Sequence, residues 1–313
     1  MRIIYMGTPE FSLPGLEEIH RRGIEIAMVV TRPDRPAGRG RSLTASPVKE
    51  RALSMGLDVR QPENLQDPEL LGFITRLEPD LFVVSAYGKF IPAALIARAK
   101  KGGINLHPSL LPRYRGAAPI QWALINGEPE TGVTIISISG RMDAGDIYAQ
   151  MSVPVSPADN AATLSRRLAD AGGILLADAA ERIVQGGVLP LPQDEAKATF
   201  APRLTKEDGR IDWQQAAVRI DNRVRGLYPW PGTFTIWPSS EGAVTLKILR
   251  SIPLPAAEGR PGEVLEANES AFTVSAGQGR LRILELQMEG KRPLPAGEFL
   301  RGHPIPPGTI LGK

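Results

Sequence analysis

Asn105 and His107 stand two residues apart at the end of the apolar run Gly103–His107, so in a strand their side chains share one face. Pro108 follows, removes a backbone donor and stops the strand, which leaves the polar pair at a sheet rim. In open α/β sheets the carboxyl ends of the strands are where ligands bind. A lone histidine is most often a hydrogen-bonded structural side chain. Beside Asn105, in a chain whose only histidines are His20, His107 and His303, the reading favours catalysis. A second polar cluster, Met142-Asp143-Ala144-Gly145-Asp146, joins two strands. It reads equally as an Asp/Gly turn bonded to its own backbone, or as a loop whose carboxylate, Asp143, reaches His107 and orients it.

Other chemistries find no residues to carry them. The chain has no cysteine, which removes thiolate metal sites, iron–sulfur clusters, disulfides and cysteine nucleophiles. The histidines form no HExxH pattern, and Asp143 with Asp146 lacks a third ligand, so no metal is expected. No GxSxG elbow occurs. The turn Gly7-Thr8-Pro9-Glu10 sits where a dinucleotide fold places its glycine loop. It lacks GxGxxG, and Pro9 and Glu10 suit a pyrophosphate badly, so a structural turn comes before a ligand-facing backbone and nicotinamide is rejected. Gly277-Gln278-Gly279, flanked by strands, reads as a hairpin turn.

The chain as a whole carries 37 basic and 34 acidic residues, a formal charge of +3. The excess is local. Between Thr31 and Arg51 lie Arg32, Arg35, Arg39, Arg41, Lys49 and Arg51 against Asp34 and Glu50, six basic residues against two acidic. The stretch Arg35-Pro36-Ala37-Gly38-Arg39-Gly40-Arg41 is an exposed loop by composition. It follows a strand at the same sheet edge as Asn105, which tilts it from solvated surface toward binding a polyanion.

The elements that must position these residues alternate. Strands are expected at Ile3–Met6, Glu25–Thr31, Asp80–Ala86 and Gly103–His107, with helices at Phe11–Arg22, Pro47–Met55, Pro68–Leu77 and Pro92–Ala99. This βαβα order with continuous apolar strands means a mostly parallel sheet covered on both faces. Thr131–Ile138 and Ile147–Val155 read as adjacent strands, and Asn160–Gln185 as a long helix. Glycine and proline from Gly186 to Pro202 mark a linker. Beyond it come a helix, Trp213–Arg225, and short strands at Gly232–Trp237, Val244–Ile252, Gly262–Glu266, Ala271–Ser275 and Arg280–Gln287, a small β-barrel. The expected division is therefore residues 1–188, a linker at 189–206, and 207–313. With 42% hydrophobic residues, no apolar run of membrane length and no signal-peptide layout, a soluble cytoplasmic protein is expected.

Taken together these motifs resemble the methionyl-tRNA formyltransferase family of folate-dependent formyltransferases, over nearly the whole chain. The matching segments are Met6-Gly7-Thr8-Pro9-Glu10-Phe11, Thr31–Arg41, Ser85-Ala86-Tyr87-Gly88 with Pro92, Asn105–Pro119, Asp143-Ala144-Gly145-Asp146, Ile211-Asp212-Trp213 and Pro229-Trp230-Pro231-Gly232. One departure is that Ile138-Ser139-Gly140-Arg141 stands before Met142-Asp143, where the family reads Gly-Leu-Asp-Thr-Gly-Asp.

The resemblance implies a Rossmann-like catalytic domain and an OB-like, tRNA-binding barrel. It implies formyl transfer from 10-formyltetrahydrofolate to the α-amine of initiator methionyl-tRNA. Asn105 would donate to the oxyanion, His107 would move protons, and Asp143 would hold His107. Ser109, Leu110, Leu111, Pro112 and Arg113, with Tyr87 and Gly88, would line the folate pocket; Arg35, Arg39 and Arg41 would meet tRNA. No metal or protein partner is implied. Another folate-dependent formyltransferase, or a 10-formyltetrahydrofolate hydrolase, acting on a small molecule is the alternative. A non-catalytic RNA-binding module would explain the arginine loop and barrel but not the Asn/His/Asp set.

Overall fold

The computed structural model describes residues 1–37, 42–239, 242–255 and 259–312. Two compact units emerge: Met1–Pro119, Glu130–Pro154 and Ser165–Ala201 form the first, and Ile120–Pro129, Val155–Leu164 and Pro202–Lys313 the second.

The first unit is built on seven strands: β1 (Arg2–Gly7), β2 (Glu25–Val30), β3 (Val59–Arg60), β4 (Leu81–Ser85), β5 (Gly103–His107), β6 (Glu130–Ser137) and β7 (Ile147–Pro154). They lie in the order β7–β6–β5–β4–β1–β2–β3. From β5 to β3 every pairing is parallel, while β6 runs antiparallel to both β5 and β7. The apolar runs explain the parallel centre. Ile3–Met6 in β1 and Leu81–Val84 in β4 are buried on both faces, as strands between helical layers must be. Helices α1 (Leu13–Arg21), α2 (Pro47–Ser54), α3 (Pro68–Leu77) and α4 (Ala93–Ile96) connect the parallel strands. Ser46 and Asp67 cap α2 and α3 by accepting the Lys49 and Glu69 N–H, each with proline in the first helical turn, where a missing N–H costs nothing.

Strand order reverses between β1 and β4, because the chain moves from β1 to β2 on one side and returns to β4 on the other. The carboxyl ends of β1, β4 and β5 therefore open onto a topological switch point, the rim at which ligands enter such sheets.

Helices α5 (Pro119–Ile125) and α6 (Ala161–Val184) follow, and α7 (Ala217–Gly226) and α8 (Ala296–Gly302) belong to the second unit. There, β8 (Thr233–Ser239), β9 (Gly242–Leu254), β10 (Val264–Ala267), β11 (Phe272–Ser275) and β12 (Arg280–Met288) form an antiparallel sheet in the order β8–β9–β12–β11–β10. Its core holds Trp213, Ile220, Val224, Leu246, Ile248, Phe272, Ile283 and Phe299. The result is a half-barrel whose open side is bridged by residues 308–312. The Val264 and Leu311 N–H groups bond the Thr309 and Gly262 carbonyls at 2.8 Å, and Gly312 N–H donates to Ile236 at 2.7 Å. The helix expected from Trp213 begins only at Ala217, since Trp213 stays in the core with its indole N–H on Thr235 Oγ1 at 3.0 Å.

Candidate active site

Three loops at the switch-point rim carry non-glycine residues in the left-handed region: Ala86 (φ 46°), Tyr114 (φ 63°) and Asp143 (φ 50°). The fourth such residue among those described, Glu78, merely ends α3. Left-handed backbone costs an ordinary residue roughly 1–2 kcal/mol, less for aspartate, and persists only where surrounding bonds impose it. All three loops are so bonded.

Asn105 sits in β5 between Val84 of β4 and Ile136 of β6, partly exposed, and its carboxamide makes no hydrogen bond among the described residues. His107, two residues on, is only 4% exposed. Its Nε2 lies 2.9 Å from the Tyr114 carbonyl and its Nδ1 3.5 Å from Asp143 Oδ1. A carbonyl only accepts, so Nε2 carries a proton and Nδ1 is the nitrogen left to exchange one. The ring is fixed from behind by a backbone group, and the exchangeable nitrogen faces a carboxylate. Asp143 also uses Oδ2, which accepts the Gly116 N–H at 2.9 Å. The structure thus brings Asp143 to His107, the second of the two readings its sequence allowed.

The loop after β5 is internally braced. Ser109 is fully buried; its hydroxyl donates to the Arg113 carbonyl at 2.6 Å, and its carbonyl accepts from Thr134 Oγ1 at 2.6 Å. Leu111 N–H donates to the same Thr134 oxygen at 3.1 Å, and Gln150 Nε2 to the Leu111 carbonyl at 2.8 Å. Ser109 and Leu111 are therefore buried and committed to bracing the loop, while Leu110 and Pro112 are partly exposed and Arg113 is exposed. On the neighbouring loop Tyr87 is 2% exposed; burial pushes its phenol above the ordinary tyrosine range. Its carbonyl accepts from Thr8 Oγ1 at 3.0 Å, which ties the Gly7–Glu10 turn to the end of β4. Gly88 takes φ 84°, with Arg32 Nη1 3.4 Å from where a Cβ would stand. Beside these loops lies a mainly apolar cavity of about 230 Å³, lined by Phe90, Ile91, Ile96, Ile138, Ser139 and Gly140 among others. Of this lining the sequence marks Ile138, Ser139 and Gly140 as a departure from the family, and not Phe90, Ile91 or Ile96.

Residues 189–206, expected as a linker, are bonded along this site as far as Ala201. Leu191 exchanges both backbone bonds with Ile147 at 2.8 Å, and Phe200–Ala201 pairs in parallel with Arg115–Gly116. Arg115 is 5% exposed and donates to Gln193 Oε1 and to Glu195, whose carboxylate it holds below the ordinary glutamate range. Tyr114, Arg115 and Gln193 are the functional neighbours the sequence reading missed. The first two lie inside the segment Asn105–Pro119; nothing local marks Gln193.

The basic loop proves to be a ribbon, Arg35–Ala37 paired antiparallel with Ser42–Thr44. Arg35 is exposed at its base, and Arg39 and Arg41 lie outside the described residues. Lys49 is paired with Asp34 at 2.5 Å and Arg51 with Glu17 at 2.7 Å, so two of the six local cations are already neutralised.

Residues 1–180 match the formyl transferase family and residues 203–304 its C-terminal domain. The chain is 44% identical over 313 residues to a methionyl-tRNA formyltransferase of Citrifermentans bemidjiense, covering 100% of this chain and 97% of that one. To one of Moorella thermoacetica it is 45% identical, covering 100% and 99%. Among solved structures it resembles HypX from Aquifex aeolicus, crystallised in complex with tetrahydrofolic acid, with a TM-score of 0.63 at 22% identity. That match covers 96% of this chain and 47% of HypX, and at such identity the likeness is one of fold.

Proposed function

The chain belongs to the methionyl-tRNA formyltransferase family, and from that premise we propose that it formylates the α-amine of methionine esterified to initiator tRNA. The donor is 10-formyltetrahydrofolate, the products are N-formylmethionyl-tRNA and tetrahydrofolate, and the reaction is a cytoplasmic step of translation initiation. What carries the reading is the 44–45% identity to methionyl-tRNA formyltransferases over the whole chain.

The donor supplies an activated formyl carbon. The lining suits it: apolar walls at Phe90, Ile91 and Ile138 for a flat heteroaromatic ring, with backbone at Ser139 and Gly140 for its polar edge. Tyr87, Gly88 and the Ser109–Arg113 loop are the remaining residues we assign to holding it. In the transfer, a bond forms between the amine nitrogen and the formyl carbon, the bond from that carbon to the folate N10 breaks, and one proton passes from amine to N10. The amine has a reference pKa of about 7.7–8.0, so a neutral nucleophile is available without a strong base. Asn105, whose carboxamide makes no hydrogen bond among the described residues, donates N–H to the oxygen on which negative charge develops. His107 moves the proton through Nδ1, since Nε2 is committed to Tyr114. Asp143 orients the ring and compensates its charge while it holds the extra proton. Arg35, Arg39 and Arg41 are assigned to tRNA phosphates, and residues 207–313 to the rest of the tRNA.

The test is label transfer from the donor to charged initiator tRNA, charged elongator tRNA, free methionine, an aminosugar nucleotide and water. Label on initiator methionyl-tRNA at the highest kcat/KM is expected. Label reaching only water or a small amine would overturn the reading.

A further inference from the structure

We propose that Gln193 is a positioning residue for the transfer, holding the Asp143 loop in the conformation that sets its carboxylate against His107. The inference rests on the reading of His107 and Asp143 as transfer machinery, and goes beyond it by adding a group from the segment that composition marks as linker.

Asp143 stands in a left-handed conformation on a loop whose neighbours Arg141 and Met142 are exposed. Arg141 reaches Glu195 Oε1 at 3.2 Å. Two carbonyls of this loop, those of Asp143 and Gly145, converge on one donor: Gln193 Nε2, at 2.8 and 2.7 Å. The other end of the same carboxamide, Oε1, accepts from Arg115 Nε at 3.0 Å and Nη2 at 2.7 Å. Arg115 is in turn fixed by Glu195 and by its backbone N–H on the Thr199 carbonyl at 2.8 Å. The head group at 193 must therefore donate on one side and accept on the other. A carboxamide does both, glutamate has no donor, and lysine has no acceptor. Beneath the loop Gly145 is packed so that a Cβ would fall 1.8 Å from the Ser137 carbonyl, so the loop has one way to lie and Gln193 closes it from above.

The consequence for chemistry is geometric. Asp143 Oδ1 is 3.5 Å from His107 Nδ1, and release of the loop's two carbonyls lets that carboxylate drift. Misplacing a catalytic group by about 1 Å can cost about 10²-fold in rate.

The experiment compares Gln193→Ala, Gln193→Glu and the control Lys197→Ala in the full chain. Lys197 is an exposed residue of the same segment that, among the described residues, pairs only with Asp194. Gln193→Glu keeps an acceptor for Arg115 and removes the donor to both carbonyls. Turnover is measured at low temperature, where circular dichroism shows each variant folded, and the His107 ring resonances are followed by NMR. Expected are kcat losses of about 10- to 100-fold for both Gln193 variants, with KM for the formyl donor near wild type, displaced His107 resonances, and no change for Lys197→Ala. Wild-type kcat with unmoved His107 resonances would overturn the proposal. So would a loss that merely tracks the unfolded fraction. Absence of transfer by the wild-type chain would instead refute the functional reading, and the NMR arm would still judge Gln193.

Discussion

The two loops that meet at His107 differ in how far the sheet itself holds them. The loop after β5, from Pro108 to Gly116, is bonded into the sheet that produced it: Thr134 of β6 and Gln150 of β7 bind the Ser109 and Leu111 backbone, and Thr199 takes the Tyr114 N–H at 2.8 Å. The loop after β6, from Ile138 to Asp146, has sheet bonds only at its base, where Ile138 N–H meets Gly103 and Ser137 N–H meets Asp146, both at 2.9 Å. Its tip rests on Gly116 N–H, on Gln193 and on Glu195, which accepts from Arg141 Nη2 at 3.2 Å. Both loops are thus tied to the segment from Gln193 to Ala201, and the first is also bonded into the sheet beyond its base.

If the ring is the fixed element, its removal has the largest effect. His107→Ala is expected to lower kcat by about 10²–10⁴-fold, the range for losing a positioned proton-transfer group, without raising KM for the donor. A folded variant with normal turnover would make the ring structural. Asn105→Ala is expected next, at about 10²–10³-fold in kcat. A large KM increase at constant kcat would instead assign Asn105 to ground-state binding.

A third loop sharpens the comparison because it should touch neither ring nor carboxylate. If Arg32, Arg35, Arg39 and Arg41 each neutralise one tRNA phosphate, kcat/KM for charged tRNA should fall with salt at a log–log slope of about −2.8 to −3.6. Replacing Arg35, Arg39 and Arg41 with Gln should flatten that slope by about two to three units while donor affinity measured without tRNA stays constant. Parallel salt curves would mean the ribbon is only solvated surface.

The bracing of the first loop predicts a stability cost rather than a catalytic one. Thr134→Val removes a buried hydroxyl that serves Ser109, Leu111 and Gln150, and should cost about 1–3 kcal/mol in urea unfolding. An unchanged midpoint would show the loop is held elsewhere. The smallest effect concerns acid. Arg115 depresses the folded-state pKa of Glu195, so this pair's stabilisation is present above the unfolded glutamate value of about 4.3 and is lost as pH falls below it. Amide exchange over residues 191–201 should therefore rise in that window before global unfolding. Exchange that rises only with global unfolding would remove Glu195 from the support of this segment.

Much of this was legible in the residues themselves. The segment Gly103–His107 marks β5 to the residue, because Pro108 lacks an N–H and ends it. The alternation around it gives the sheet. The two-residue strand Val59–Arg60 is too short to show any periodicity, and α5 hides in seven residues although Pro119 at its start is a helix signal. Asp143 had two equal accounts because sequence does not say which way a left-handed turn aims its carboxylate. Gln193 had none. Its neighbours Pro190 and Pro192 report local turn chemistry, and turn chemistry is silent about where a side-chain amide finds its partners 48 to 78 residues away.

The central claim is that ring and carboxylate, delivered by two differently held loops, work as one unit in formyl transfer. The direct test is a double-mutant cycle, measuring kcat for transfer to initiator methionyl-tRNA in His107→Ala, Asp143→Ala and the combined variant. Groups acting as a unit are strongly non-additive, so the double variant should be no more than about twofold slower than His107→Ala alone. Losses that multiply in the double variant would show that Asp143 and His107 act independently, and would contradict the account.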